Sequence, residues 1–371
     1  MMSVNETNQT SYAVTGLTVS RYPQCFEDPG NIMSYEARKL NTKILQCGLM
    51  PSLFFVGAPT NILSMIVFYR QGLRDRMNLC LFCLAFVDLM YVTAVLGTVS
   101  YCFIAVFLPE EEHFWKQTLM KNFLNFVYGF GYSSGWLTMI IATDRCVCIL
   151  FPMKSATVIS TKTMTILLAS SILLINILCG VYIIKETVVS TKDDVTGRRV
   201  VMLSTTALFL STDMFSIIEN IVLSLISIFC FSVVVLTTSL TIMGLRSAMA
   251  WRQSTSSLSP LCSGSSYLKG QTVLMRMLVV VSFIYILCTA PNVALSLARF
   301  SDPAFRSDGP NCNVFTATHL FGFLTVMINS SINFFVYLTM SSRFRQELKT
   351  FLLGGNISMR STAVSASKPI R

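Results

Sequence analysis

Seven long apolar runs, separated by short polar segments, set the pattern of this chain. They lie at roughly 46–69, 77–107, 122–151, 163–184, 215–245, 273–298 and 314–340. A helix needs about 20 predominantly apolar residues to cross a bilayer, so each run predicts one spanning helix. Runs two and three are long enough to tilt or to extend past the bilayer. After run seven, Phe344, Leu348, Phe351 and Leu352 share a helical face that Arg343, Arg345 and Lys349 do not. That spacing predicts a short amphipathic helix on the inner membrane surface. The expected fold is all-α, an integral membrane seven-transmembrane helix bundle at 46–341. A polar tail at 1–45 precedes it; the amphipathic helix at 342–353 and a serine-rich tail at 354–371 follow. Pro291 should kink run six, and the serine- and glycine-rich stretch from Ser254 to Tyr267 reads as a flexible connection.

Composition agrees with the runs. The chain is 53% hydrophobic and 12% charged, with a mean hydropathy of +0.62, against about 25% charged residues in a soluble domain. Lipid is therefore the solvent. The net charge of +10 does not point to nucleic acid, because its distribution is one-sided. The segments before run one and between runs two and three, four and five, and six and seven hold 12 basic and 14 acidic residues; the opposite side holds 16 and 3. Basic residues mark the cytoplasmic side, which puts the N-terminus of this multi-pass protein outside; the plasma membrane is its expected location. Met1 to Thr10 lack an apolar signal-peptide core, so run one is expected to act as its own insertion signal. Asn5 and Asn8 open two Asn-x-Thr glycosylation acceptors in the outer tail. Of the 12 cysteines, Cys25, Cys47, Cys102 and Cys312 fall in or near external segments, where disulfides persist. Four cysteines allow three pairings; Cys25 with Cys312 is favoured because both sit in loop-like sequence.

Two sites carry candidate chemistry. Asp88 is the single carboxylate deep inside a run, where a charge costs about 2.5–3.5 kcal/mol on insertion scales. Asn61, Ser134, Asn329 and Asn333 are its candidate partners, the last two on one face of a helix. Oxygens of this kind suit a small hard cation or a proton; a hydrogen-bonded structural cluster without an ion is the plain alternative. Arg145 lies about 16 Å along a helix from Ser134, at the inner interface. Taken alone it reads as an arginine reaching for the headgroups; the adjacent Asp144, the downstream Pro152 and the Asp88 group argue for more. A transporter or channel is the competing class, but no internal repeat is visible and only one carboxylate is buried. With His113 and His319 both near the outer face and no metal-spaced ligands, an enzyme is not expected.

These residues together resemble the rhodopsin-like (class A) G-protein-coupled receptors over about 46–353. Asn61 matches the helix-one asparagine, and Leu84-Ala85-Phe86-Val87-Asp88 matches L-A-x-x-D. Asp144-Arg145-Cys146 with Ile149 and Pro152 is similar to D-R-Y-x-x-I-x-x-P, Cys288-Thr289-Ala290-Pro291 to C-W-x-P, and Asn333 to Tyr337 to N-P-x-x-Y; Arg343-Phe344-Arg345 opens what looks like helix eight. There are departures. Cys146 stands for tyrosine, Thr289 for tryptophan and Phe334 for proline. Met120 replaces the helix-three cysteine, and Gln271 stands where many members place an acid facing the arginine. The pattern is that of a divergent branch, similar to invertebrate peptide or chemosensory receptors.

The resemblance implies a ligand-driven switch. Ligand binds the outer bundle, helix six swings outward around Pro291, Asn333 and Tyr337 rearrange, and a heterotrimeric G protein meets Asp144, Arg145, Pro152 and Met153. Asp88, Asn61, Ser134, Asn329 and Asn333 would hold an allosteric sodium ion; no other cofactor is expected. Val127, standing where amine receptors carry an aspartate, argues against a simple amine ligand, and Met327, standing where opsins carry a lysine, excludes a retinal Schiff base. Val127, Tyr128, Gly131, Tyr132, Asn292, Arg299, His319 and Phe323 are pocket candidates for a peptide or an amphipathic small molecule, with Glu219 a weaker one for a basic group. Serines in 254–266 and 358–367 suggest a receptor kinase and arrestin as partners. Without an acid at Gln271, the resting state should be weakly latched, with basal activity.

Overall fold

The computed structural model describes residues 32–151, 160–192, 199–256, 265–302 and 309–354, together with Phe305 and two short strands, Tyr12–Val14 (β1) and Leu17–Val19 (β2). Seven helices are long and apolar enough to cross a membrane: Tyr35–Gln71, Arg76–Phe107, Pro109–Leu150, Thr161–Lys185, Leu223–Ala250, Val273–Ser301 and Cys312–Met340. Each corresponds to one apolar run and is called spans one to seven below.

Span one is α1 (Tyr35–Ile44) and α2 (Met50–Gln71), joined through a π-helical turn at Leu45–Leu49. Span two is α3 (Arg76–Val99) and α4 (Tyr101–Phe107), and span three is α5 (Glu112–Leu150). Span four is α6 (Thr161–Cys179) with α7 (Val181–Lys185). The strands β3 (Glu186–Lys192) and β4 (Arg199–Thr205) follow, then α8 (Ala207–Ser211), α9 (Asp213–Ile217) and α10 (Leu223–Ser256). Spans six and seven are α11 (Ser265–Ser301) and α12 (Cys312–Met340), and α13 (Ser342–Leu352) closes the described chain.

Several helices start earlier than the hydropathy runs. The first begins at Tyr35 rather than about 46, and the third at Glu112 rather than about 122. Hydropathy marks only the part in lipid; the polar turns beyond it stay helical where caps and helix-forming residues allow. Ser34 caps α1 by accepting the Ala37 amide at 3.2 Å, and Asp75 caps α3 by accepting the Met77 amide at 2.9 Å.

Span three is the central post, packing against spans two, four, five and six. In lipid, helices associate through close packing and interhelical hydrogen bonds rather than by escape from water. Gly57 on span one abuts Ser331 on span seven so closely that a Cβ there would collide with the serine hydroxyl. Between spans four and five, β3 pairs antiparallel with β4, in register from Glu186↔Thr205 to Lys192↔Arg199, and the pair packs on α5; the end of the bundle that carries it is called outer below, and the end that carries Arg145 inner. Both hairpins lie outside the seven spans, so the bundle itself is helical throughout.

An amphipathic helix forms at α13, but its apolar face is divided. Phe344 and Leu348 are buried against the bundle, while Leu352 is left exposed. The reason is an aromatic group formed by Phe68, Phe334, Tyr337 and Phe344, with Phe344 5.5 Å from Phe68 and 5.7 Å from both Phe334 and Tyr337. Phe334, standing where the resembled motif has proline, thus becomes a contact for the last helix.

Candidate functional site

The middle of the bundle is built around Asp88, which is fully buried on span two. Ser134 Oγ donates to its Oδ1 at 2.6 Å, Ser330 Oγ donates to the same oxygen at 2.9 Å, and Asn333 Nδ2 donates to Oδ2 at 3.0 Å. Spans two, three and seven therefore converge on one carboxylate. Of the residues expected beside it, Ser134 and Asn333 make contact. Asn61 instead donates to the backbone carbonyls of Gly57 and Ser330, each at 2.9 Å. Asn329 is buried, but among the described hydrogen bonds it makes none to Asp88. Ser330 was not anticipated. Its position three residues before Asn333 on a helix was the available signal, weakened because serines in spans usually bond their own backbone.

The inner end is built around a second buried aspartate. Asp144 Oδ2 accepts the Arg145 Nε at 2.9 Å and also pairs with its Nη2, while Asp144 Oδ1 lies 3.2 Å from Arg76 Nη2. Arg76 Nη2 also donates to Cys148 Sγ at 3.4 Å. Arg76, at the start of span two, was read only as part of a basic turn. Register could have placed it: with Asp88 against Ser134, Arg76 falls about 18 Å inward on one helix and Asp144 about 15 Å inward on its antiparallel neighbour, a gap a long side chain closes. Beside Arg145 is a narrow crevice between spans three, five and six, whose walls include Ala142, Thr238, Thr241, Met275 and Ser282. Pro152 and Met153 lie outside the described residues. Gln271 falls within α11, and its side chain is likewise outside the description.

The two remaining switch residues sit on spans six and seven. Pro291 lies inside a continuous α11. Tyr337 is almost fully buried, its ring 5.2 Å from Phe68.

The outer half is an aromatic layer. The Tyr128 hydroxyl and His319 Nε2 share a hydrogen bond of 3.1 Å. Tyr128 stacks on Tyr182 at 4.1 Å and lies 5.5 Å from Phe323. His319 meets Phe323 edge-on at 4.6 Å and stacks on Phe315, over which Arg299 is placed at 5.7 Å. Tyr132 stacks one turn below Tyr128. The structure thus brings together Tyr128, Tyr132, Arg299, His319 and Phe323, and adds Tyr182 and Phe315. The other pocket candidates are engaged elsewhere. Val127 packs in the core with Tyr91 and Leu320. Gly131 faces the Tyr91 ring, which fills the space beside it. Asn292 Nδ2 donates to the Gly322 carbonyl at 3.1 Å, tying span six to span seven.

Above this layer, Lys185 Nζ lies 2.5 Å from Glu219 Oε1. Glu219 is therefore paired within the chain rather than open to a basic ligand group. Burial pushes the neighbouring Glu186 carboxyl up to about 7, with Lys185 opposing and Glu219 adding to the rise. A disulfide joins Cys47, in the turn of span one, to Cys102 on α4, with Cα atoms 5.5 Å apart. Cys312 is also disulfide-bonded. Cys25, Asn5 and Asn8 lie outside the described residues.

The family model for the 7 transmembrane receptor (rhodopsin family) matches residues 60–337. The chain belongs to the rhodopsin family of seven-transmembrane receptors. No curated protein matches it. In this rhodopsin-family receptor, the matched stretch runs from the inner half of span one to Tyr337, and so takes in Asp88, the Asp144–Arg145 pair, Pro291 and Asn333. The Cys47–Cys102 bridge braces spans one and two, in a receptor with Met120 in place of the helix-three cysteine.

Proposed function

We propose that this receptor sits in the plasma membrane with its N-terminus outside, binds a peptide or amphipathic small molecule in the outer bundle, and activates a heterotrimeric G protein. The observation that carries the reading is the buried Asp144–Arg145 pair, set at the inner end of span three beside the crevice between spans three, five and six. Opening that crevice would expose a guanidinium to a partner. The outer aromatic layer offers flat apolar faces with polar tips at Tyr128, His319 and Arg299, which suits a ligand with an acidic or amidated end. Agonist would act by binding the open bundle more tightly than the closed one. Phosphorylation of inner serines would then bring arrestin.

A sodium ion fits the middle layer. The carboxylate of Asp88 and the hydroxyls of Ser134 and Ser330 are hard oxygen donors, and Asn333 Oδ1 is buried with no hydrogen-bond partner. Asp88, Ser134, Ser330 and Asn333 would hold the ion, with Asn61 positioning span seven from behind. The ion would supply the positive charge that Asp88 lacks.

Nucleotide exchange on purified G proteins, measured in membranes carrying the receptor, tests the reading. Exchange above receptor-free membranes, lost in Arg145→Ala at equal surface expression, is the expected result. Equal exchange in both would end the G-protein assignment.

A further inference from the structure

The inner crevice holds a feature that the receptor reading does not use. Hydroxyls along α10 donate to the carbonyl four residues back: Ser232 to Ile228 at 2.8 Å, Thr237 to Val233 at 2.7 Å and Ser239 to Val235 at 2.8 Å. Thr238 does not. Its Oγ1 is buried without a partner, in a residue only 5% exposed. A buried polar atom of this kind costs about 1–3 kcal/mol unless something satisfies it. Thr238 also lines the crevice that Arg145, Thr241 and Ser282 line, and the space there accommodates about one water molecule.

Charge narrows what can hold Arg145 across this gap. Neither α10 nor α11 contains an aspartate or glutamate anywhere along its length. An ion pair from span five or six is therefore excluded. Asp144 takes Nε and one Nη2 proton of Arg145, and a guanidinium has five N–H donors, so further donors remain for the crevice side.

We propose that the closed bundle latches Arg145 through an uncharged bridge, in which one water accepts from the guanidinium and donates to the Thr238 and Ser282 hydroxyls. The bridge joins span three to spans five and six. It rests on the reading of Arg145 as the group that a partner meets, and it replaces an ionic latch with hydrogen bonds that open more readily.

The test separates the latch from the coupling. Spin labels carried at Leu150 and Val273 report the distance between the inner ends of spans three and six in the full-length receptor. Thr238→Val keeps the shape and removes the hydroxyl. The expected result is a shift of population to longer distances, by about two- to tenfold, the worth of one hydrogen bond; Thr238→Ser restores the wild-type distribution, and Ser282→Ala shifts it in the same direction. If Thr238→Val leaves the distances unchanged, the hydroxyl is merely unpaired and the proposal falls. A shift in distance without any change in nucleotide exchange would support the latch and count against the G-protein reading.

Discussion

Two buried aspartates, Asp88 and Asp144, sit on adjacent helices and are treated in opposite ways. Asp144 lies between two guanidiniums, Arg76 and Arg145. Asp88 has two hydroxyls and an amide but no described cation partner. Both are hydrogen-bonded, so neither is an unsatisfied group. The difference is net charge. The inner cluster carries one positive charge in excess; the middle one carries a negative charge that only a cation or a proton can remove. A buried pair broken on one side leaves an uncompensated charge and costs about 3–5 kcal/mol. Removing the charge of an unpaired buried group carries no such cost. The same substitution should therefore have opposite consequences at the two positions.

Asp144→Asn should give the largest effect. It leaves both arginines without their shared anion, and a destabilisation of about 3 kcal/mol is expected, read as a fall of several degrees in the thermal midpoint of the purified receptor. Arg145, released, should also raise basal nucleotide exchange. A midpoint equal to wild type would mean that solvent, not Asp144, balances these guanidiniums.

Asp88→Asn should be neutral or stabilising in sodium-free buffer, because the amide oxygen can still accept from Ser134 and Ser330, and the new amide nitrogen can donate to Asn333 Oδ1 once that side chain turns over. Wild type should gain thermal stability when choline is replaced by sodium, and the variant should not. A wild-type receptor indifferent to that exchange would show the middle cluster to be structural only. Arg76→Gln comes next in size. Asp144 keeps Arg145 in this variant, so the loss should be under half of that for Asp144→Asn, about 1 kcal/mol; a loss equal to that of Asp144→Asn would make Arg76 the dominant partner.

The contrast also explains what the sequence revealed. Asp88, Ser134 and Asn333 were legible because a carboxylate in lipid is so costly that its partners must be nearby. The seven spans were legible for the same reason, since lipid permits little besides helices. Arg76 was not, because an arginine in an inner turn looks like a topology signal. The outer layer was half legible. Tyr128, His319 and Phe323 were singled out, but Tyr182 was lost among aromatic residues that could equally face lipid. The β3–β4 hairpin did leave a signal: Glu186-Thr187-Val188-Val189-Ser190 and Arg199-Val200-Val201-Met202-Leu203 carry β-branched residues on either side of a polar stretch of sequence. Glu219 looked available for a ligand because its partner, Lys185, lies 34 positions away in sequence.

That outer pair supplies a third case, smaller because water is close. Glu186 and Glu219 lie near one ammonium, Lys185, which is committed to Glu219. Glu186 is thus the less compensated of the two carboxylates, and burial raises its carboxyl to about 7 against the opposing charge of Lys185. An acid whose folded value is raised contributes stability below its ordinary value near 4.5, and that contribution is lost as pH rises through the folded value. Between pH 6 and pH 8, then, the thermal midpoint of wild type should fall slightly, on the order of 1 °C. Glu186→Gln cannot ionise there and should fall less than wild type over the same window. If wild type and Glu186→Gln follow the same curve, Lys185 is shared between the two carboxylates, and the outer site balances its charge as the inner one does.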